Sequence, residues 1–247
     1  MQVLRDFYFA LAEGLWGRIL ALMRFLVNFL FLAGMASTAV AVDKADLDSR
    51  IQKLGVKLDI LQSKPEKRIP PEKLREAKGI VLLDRTKAGF LFAYQGGSGL
   101  AMVRNKSGNW SAPAFFGATE ASLGVQIGGQ QSFVVILLMN TNAVSLLTQG
   151  IFKFSGDASG TAGDSHAGVE GDMSGPLPPM LVYSDREGLY GGAALKGDSL
   201  TPDTKADEAY YGQFWTTSEI LFENKVKPTP NATALAEKLE QFAKPAK

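Results

Sequence analysis

At 247 residues and 46% apolar content, the chain is long enough to bury a sizeable core, and this composition excludes disorder as a whole. The formal net charge is +1, from 26 basic and 25 acidic residues spread along the chain, which leaves no electrostatic footprint for a nucleic-acid partner. There is no cysteine, so disulfides, thiolate metal sites, cysteine catalysis and an acylated lipoprotein anchor are excluded.

The chain begins with an export pattern. Phe25 to Leu32, FLVNFLFL, is an apolar core, and Ala39-Val40-Ala41 is the small-x-small pattern that a signal peptidase cuts. This predicts a signal peptide over residues 1–41 and a mature chain from Val42. Arg5, Asp6, Glu13 and Arg18 make the upstream stretch long and mixed in charge, whereas a start at Met23 gives a compact signal with Arg24 at its front. The alternative is an uncleaved anchor over Ile19 to Met35, in which Arg24 and Asn28 are costly in lipid. From Val42 onward 23 basic residues face 23 acidic ones. The expected location is the periplasm or cell envelope.

From Asp43 to Gln62, Leu47, Ile51, Leu54, Leu58 and Leu61 recur at helical spacing, which predicts an amphipathic helix that tolerates Gly55. The prolines of SKPEKRIPPEK stop it, and a short helix is expected through Leu74 to Lys78. Beyond Gly79 the period becomes that of strands. GIVLL, GFLFAY and LAMVR read as three strands of an antiparallel meander, divided by DRTKAG and QGGSG, and a turn over Asn105 to Gly108 leads to Trp110. Two more strands are expected over Ser122 to Gly128 and Ser132 to Met139, the second apolar throughout and so buried on both faces.

Asn140 to Gln149 reads as a short helix capped by Asn140 or Thr141, with Gly150 past its end and a strand over Ile151 to Phe154. GDASGTAGDSHAGVEGDMSG then fits either strands with a small-residue face or a mobile loop. Strands over Met180 to Tyr183 and Gly188 to Leu195 follow. There LVYSDREGLYGGAALKGDS can be laid beside VLLDRTKAGFLFAYQGGSG: an apolar strand, an Asp-Arg turn, a glycine, then an aromatic strand. The echo reads as two similar hairpins, or as hairpin chemistry reached twice. Helices are expected over Thr204 to Tyr211, Thr217 to Phe222 and, beyond a linker, Ala232 to Phe242. Most gaps between strands are too short for crossover helices. The expected fold class is therefore α+β: a predominantly antiparallel sheet, barrel- or sandwich-like, with an N-terminal amphipathic helix and short peripheral helices.

No catalytic grouping stands out. His166 is the only histidine, so acid–base chemistry and a hydrolase reading rest on one residue in a glycine-rich segment. Gly197-Asp198-Ser199-Leu200 is similar to the signature of GDSL-type esterases, but those need a later histidine and none follows; a turn explains the residues equally well. Gly96-Gly97-Ser98-Gly99 lacks the lysine and helix of a phosphate loop. Asp157, Asp164, Glu170 and Asp172 lack the alternating spacing of a calcium loop. No metal or cofactor is expected.

What remains is a basic and apolar N-terminal region. The helical stripe has Lys53 and Lys57 beside it, and Lys64, Lys67 and Arg68 follow, diluted by acids such as Asp59 and Glu66. Such a helix can lie in a membrane interface with its apolar face inserted and its cations near anionic headgroups. The other reading packs the same stripe on the protein's own core.

The motifs AKGIVLLDRTKAGFLFAYQGGSGLAMVR, GNWSAPAFFG, VQIGGQQSFVVILLMN, FSGDASGTAG, YSDREGLYGGAALKGD and AYYG closely resemble the SYLF domain, the Ysc84-type or Las17-binding family. The resemblance covers roughly residues 69–222, leaving the helix and linker over 42–68 before it and a linker and helix over 223–247 after it. It implies a non-enzymatic module that binds anionic phospholipid membranes, with some relatives binding actin. By position, Lys53, Lys57, Lys64, Lys67 and Arg68 would form the membrane-contacting part. The alternative is an envelope scaffold with a protein partner, anchored by aromatics such as Trp110, Phe115, Phe116 or Trp215, which otherwise belong to the core.

Overall fold

The computed structural model describes residues 42–90, 92–122, 128–155, 168–169, 180–185, 188–190 and 198–245. The signal peptide or anchor expected over residues 1–41, His166 and the carboxylates of the glycine-rich segment lie outside them. No helix among the described residues is long and apolar enough to cross a membrane.

Helix α1 (Lys44–Gln62) starts at Asp43, whose side chain accepts from the Asp46 amide and so satisfies an otherwise orphaned donor. The short α2 (Pro71–Glu76) begins on a proline, whose missing N–H costs nothing at that position. The sheet follows: β1 (Gly79–Phe90), β2 (Phe92–Val103), β3 (Ala114–Ser122) and β4 (Gly128–Leu138). After β4 come α3 (Thr141–Ser145), capped by Asn140, and one 3-10 turn (Leu146–Thr148). The remaining strands are β5 (Phe152–Ser155), β6 (Gly168–Val169), β7 (Met180–Ser184), β8 (Gly188–Tyr190) and β9 (Asp198–Pro202). Helices α4 (Thr204–Tyr211), α5 (Thr217–Leu221) and α6 (Pro230–Phe242) complete the chain.

All strand pairs among the described residues are antiparallel, in the order β6-β5-β9-β3-β2-β1-β4-β7-β8. The α+β class and the antiparallel sheet are as expected. The described strands do not close into a barrel, and the faces are covered by helices rather than by a second sheet. Because side chains alternate along a strand, each central strand feeds two cores. Ile80 and Leu82 of β1 join Leu100, Phe115 and Val135 beneath α1, α4 and α6. Val81 and Leu83 join Ala101, Phe116 and Ile136 beneath α3 and α5. Residues Phe133 to Leu138 are buried without a break, as the apolar run in β4 predicts.

The meander is simpler than its sequence suggests. Asp84 to Gly89 and Gln95 to Gly99 read as turns, yet both lie inside the twelve-residue strands β1 and β2, which fold back at Phe90 and Phe92. The reason is close packing. A Cβ on Gly99 would come within 1.9 Å of the Leu82 carbonyl oxygen, so glycine there admits the neighbouring backbone rather than reversing the chain. In the second copy of the echo Asp185 lies in a turn after β7 and Ser184 pairs with Gly188, whereas Asp84 and Arg85 of the first copy lie within β1. Strand β3 is not among the expected strands, since AFFGATEAS mixes small and large residues and carries no alternating signal.

Candidate functional site

Helix α1 divides its side chains between two surfaces. Leu47, Ile51, Leu54, Leu58 and Leu61 are at most 1% exposed and belong to the core beneath the helix. Burying each contributes about 2 kcal/mol. The stripe that could have entered a membrane is thus the seat of the helix on the sheet. Polar ties hold the ends. Asp48 accepts from Tyr210 Oη at 2.9 Å and from the Asn231 side chain, joining α1 to α4 and α6. Lys238 of α6 donates to the Gly55 carbonyl at 3.1 Å and pairs with Asp59 at 2.5 Å.

The opposite side of α1 carries Val56 and Ile60, 55% and 48% exposed. Val56 and Ile60 are four residues apart, as are Lys53 and Lys57, so an apolar pair and a cationic pair run side by side along the helix. A scan for one apolar stripe misses this pair, although its spacing is legible once the inner stripe is set aside.

The five cations expected at a site fall into two sets. Lys53 and Lys57 converge on Asp84, each 2.6 Å from one carboxylate oxygen. Asp84 shares the face of Ile80 and Leu82, which aims it at the helix. Burial by itself raises the Asp84 carboxyl, but the hydrogen bonds and charges of the two lysines outweigh it and hold the group below its ordinary value. Lys67 Nζ donates to the Asp185 carbonyl at 3.0 Å. Asp185 in turn is bonded to Phe133 through its amide and its side chain, and Phe133 is the residue of β4 opposite Asp84. The two aspartates of the sequence echo therefore flank one position of β4, and three of the five lysine and arginine candidates gather on that rung. Lys64 and Arg68 lie past the end of α1, Lys64 partly exposed and Arg68 exposed.

The other candidates resolve as structure. Trp110, Phe115 and Phe116 are core residues, and Trp215 packs against the core on the α5 side. Arg104 lies 4.3 Å over the Trp110 ring and pairs with Glu240 at 2.5 Å, pinning α6 to the β2 end. Asp198 to Leu200 lie in β9 rather than in a turn, and Ser199 Oγ stands 2.8 Å from Thr119 Oγ1 on the facing strand. Ser199 Oγ also donates to the Thr119 carbonyl at 3.1 Å, and no base is bonded to it among the described residues.

Comparison with known proteins gives the arrangement its family. The family model described as Ysc84, Las17-binding protein actin regulator, matches residues 119–242, from β3 to the end of α6. LAS seventeen-binding protein 3 of Saccharomyces cerevisiae is 31% identical over 179 residues, 71% of this chain and 39% of its own length. SH3 domain-containing YSC84-like protein 1 is 33% identical over 181 residues in Xenopus laevis and 31% over 180 in Homo sapiens. Each of these matches spans 72% of this chain, and 54% and 52% of the respective relatives. The chain thus spans about half or less of the relatives' length. Helix α1 and its lysines precede the stretch that the family model matches. The chain belongs to the Ysc84 family of Las17-binding protein actin regulators, whose module is the SYLF domain.

Proposed function

We propose that the protein is a non-enzymatic binding module that docks on an anionic phospholipid surface through the outward side of α1. The observation that carries this reading is the exposed Val56 and Ile60, set beside Lys53 and Lys57 on a helix already seated by its other face. Two apolar side chains enter the interface while ammonium groups sit at headgroup level. Lys53 and Lys57 share one carboxylate, so part of their charge is spent on Asp84; Lys64, Lys67 and Arg68 extend the basic surface beyond the helix. The signal pattern ending at Ala41 supports export, with the mature module working in the periplasm or cell envelope.

The names of the relatives, LAS seventeen-binding protein 3 among them, support a second reading, a protein partner. Flotation with vesicles of phosphatidylcholine alone or mixed with phosphatidylglycerol separates the two. Binding is expected to the mixed vesicles, to weaken with salt, and to be lost in Val56→Glu/Ile60→Glu and reduced by changing Lys64, Lys67 and Arg68 to Gln. A wild-type protein that ignores anionic vesicles contradicts the lipid reading. One dominant protein adduct on crosslinking in cells would then favour the second.

A further inference from the structure

On the face of the sheet away from α1, a cavity of about 520 Å³ opens between the end of β2, α3 and the chain that leaves α5. Its volume is that of a small-ligand site. Val103, Val144 and Leu221, all at most 4% exposed, give it an apolar wall, and Phe222, 42% exposed, stands at its rim. The described lining includes Lys78, Arg104 and Lys106 and no carboxylate. The charge of Arg104 is met by Glu240 at 2.5 Å. Lys78 and Lys106 are exposed and have no ion-pair partner among the described residues. Beyond Phe222 the chain turns at Asn224, φ 52°, the one non-glycine residue with positive φ among those described.

We propose that this cavity holds a single anionic amphiphile, its carboxylate or phosphate head at Lys78 and Lys106 and its chain along Val103, Val144, Leu221 and Phe222. Two solvent-facing ammonium groups, screened by salt, hold a small anion weakly. Affinity therefore requires the apolar wall, and the wall in turn requires a ligand with a chain. A neutral amphiphile would leave the two lysines without a counter-charge. The wall belongs to the core opposite α1, so this site stands independently of a membrane contact by Val56 and Ile60.

Titration of the full chain with decanoate, decyl phosphate, inorganic phosphate and decanol, kept below micelle formation and followed by amide NMR, tests it. Decanoate or decyl phosphate is expected to saturate and to shift amides of residues 103–107, 141–145 and 221–224, the tighter of the two naming the head. Lys78→Glu/Lys106→Glu should weaken binding about tenfold or more, and Phe222→Ser several-fold, with an unchanged thermal midpoint because all three side chains are exposed. Inorganic phosphate or decanol binding as tightly as the charged amphiphiles overturns the proposal. So do shifts confined to α1, or no binding at all.

Discussion

On one side of the sheet a 19-residue helix lies over β1 and β2, seated by five leucine and isoleucine side chains and tied to α4 and α6 through Asp48 and Lys238. On the other side α3 and α5, five residues each, cover the strands, and the cavity bounded by Val144 and Phe222 stays open. The same alternating strands supply both cores, so the difference comes from the length of what is laid on them. On the α1 side a cavity of about 400 Å³ lies between Trp110 and α6 rather than beneath α1. The long helix thus covers its strands and has a whole outer surface left for other work. Short helices leave gaps between their ends, and a gap walled by apolar side chains can take a ligand.

The largest expected effect lies in the sheet that the two faces share. Gly99→Ala puts a Cβ 1.9 Å from the Leu82 carbonyl oxygen, a backbone atom that cannot yield without parting β1 from β2. Chemical denaturation should show a loss of roughly 4 kcal/mol or more, with both cores disturbed. A variant within about 1 kcal/mol of the parent would mean that the strands are not packed this closely.

The next effect separates the faces by pH. Asp207 of α4 is fully buried; one carboxylate oxygen accepts from the Phe115 amide at 2.8 Å and the other has no partner among the described residues. Burial, opposed by that amide and aided by the nearby charge of Asp203, pushes the carboxyl from 3.8 up to about 7. Between these values the folded protein keeps a proton that the unfolded chain has released. Stability should therefore fall as pH rises across that window, by on the order of 4 kcal/mol in full, and level off above it. Asp207→Asn has no proton to lose and should flatten the slope in urea titrations between pH 4 and 7. An unchanged slope would place the titration elsewhere.

How much of this was legible in the sequence follows from what each residue reports. The inner stripe of α1 and the apolar run of β4 are patterns of burial, and both were readable. Asp84 and Gly99 report only local preference, and local preference assigns Asp and Gly to turns; the long strands override it because cross-strand neighbours decide the packing. Likewise, Lys53 and Lys57 read as surface cations until the fold brings Asp84 beneath them. The cavity draws Lys78, Val103, Val144 and Phe222 from four separate parts of the chain, so no local motif could announce it.

The smallest effect tests how tightly the long helix is closed against its neighbour. Gly55 faces α6, yet a Cβ there would lie 3.6 Å from Lys238 Nζ and 3.8 Å from Leu235, which are ordinary contacts. Gly55→Ala should raise stability by roughly 0.5–1 kcal/mol through helix propensity. A loss instead would mean that α1 and α6 are closer than this geometry.

In the proposed membrane contact α1 uses its inner face for the fold and its outer face for the anionic surface at the same time. Hydrogen exchange of the α1 amides over residues 54–61, measured with and without phosphatidylglycerol vesicles, tests this most directly. Protection that persists or increases on the vesicles is the expected result, because Val56 and Ile60 dock while Leu54, Leu58 and Leu61 stay in the core. Faster exchange of those amides on binding would contradict it, since the helix would then have to leave the sheet to reach the lipid.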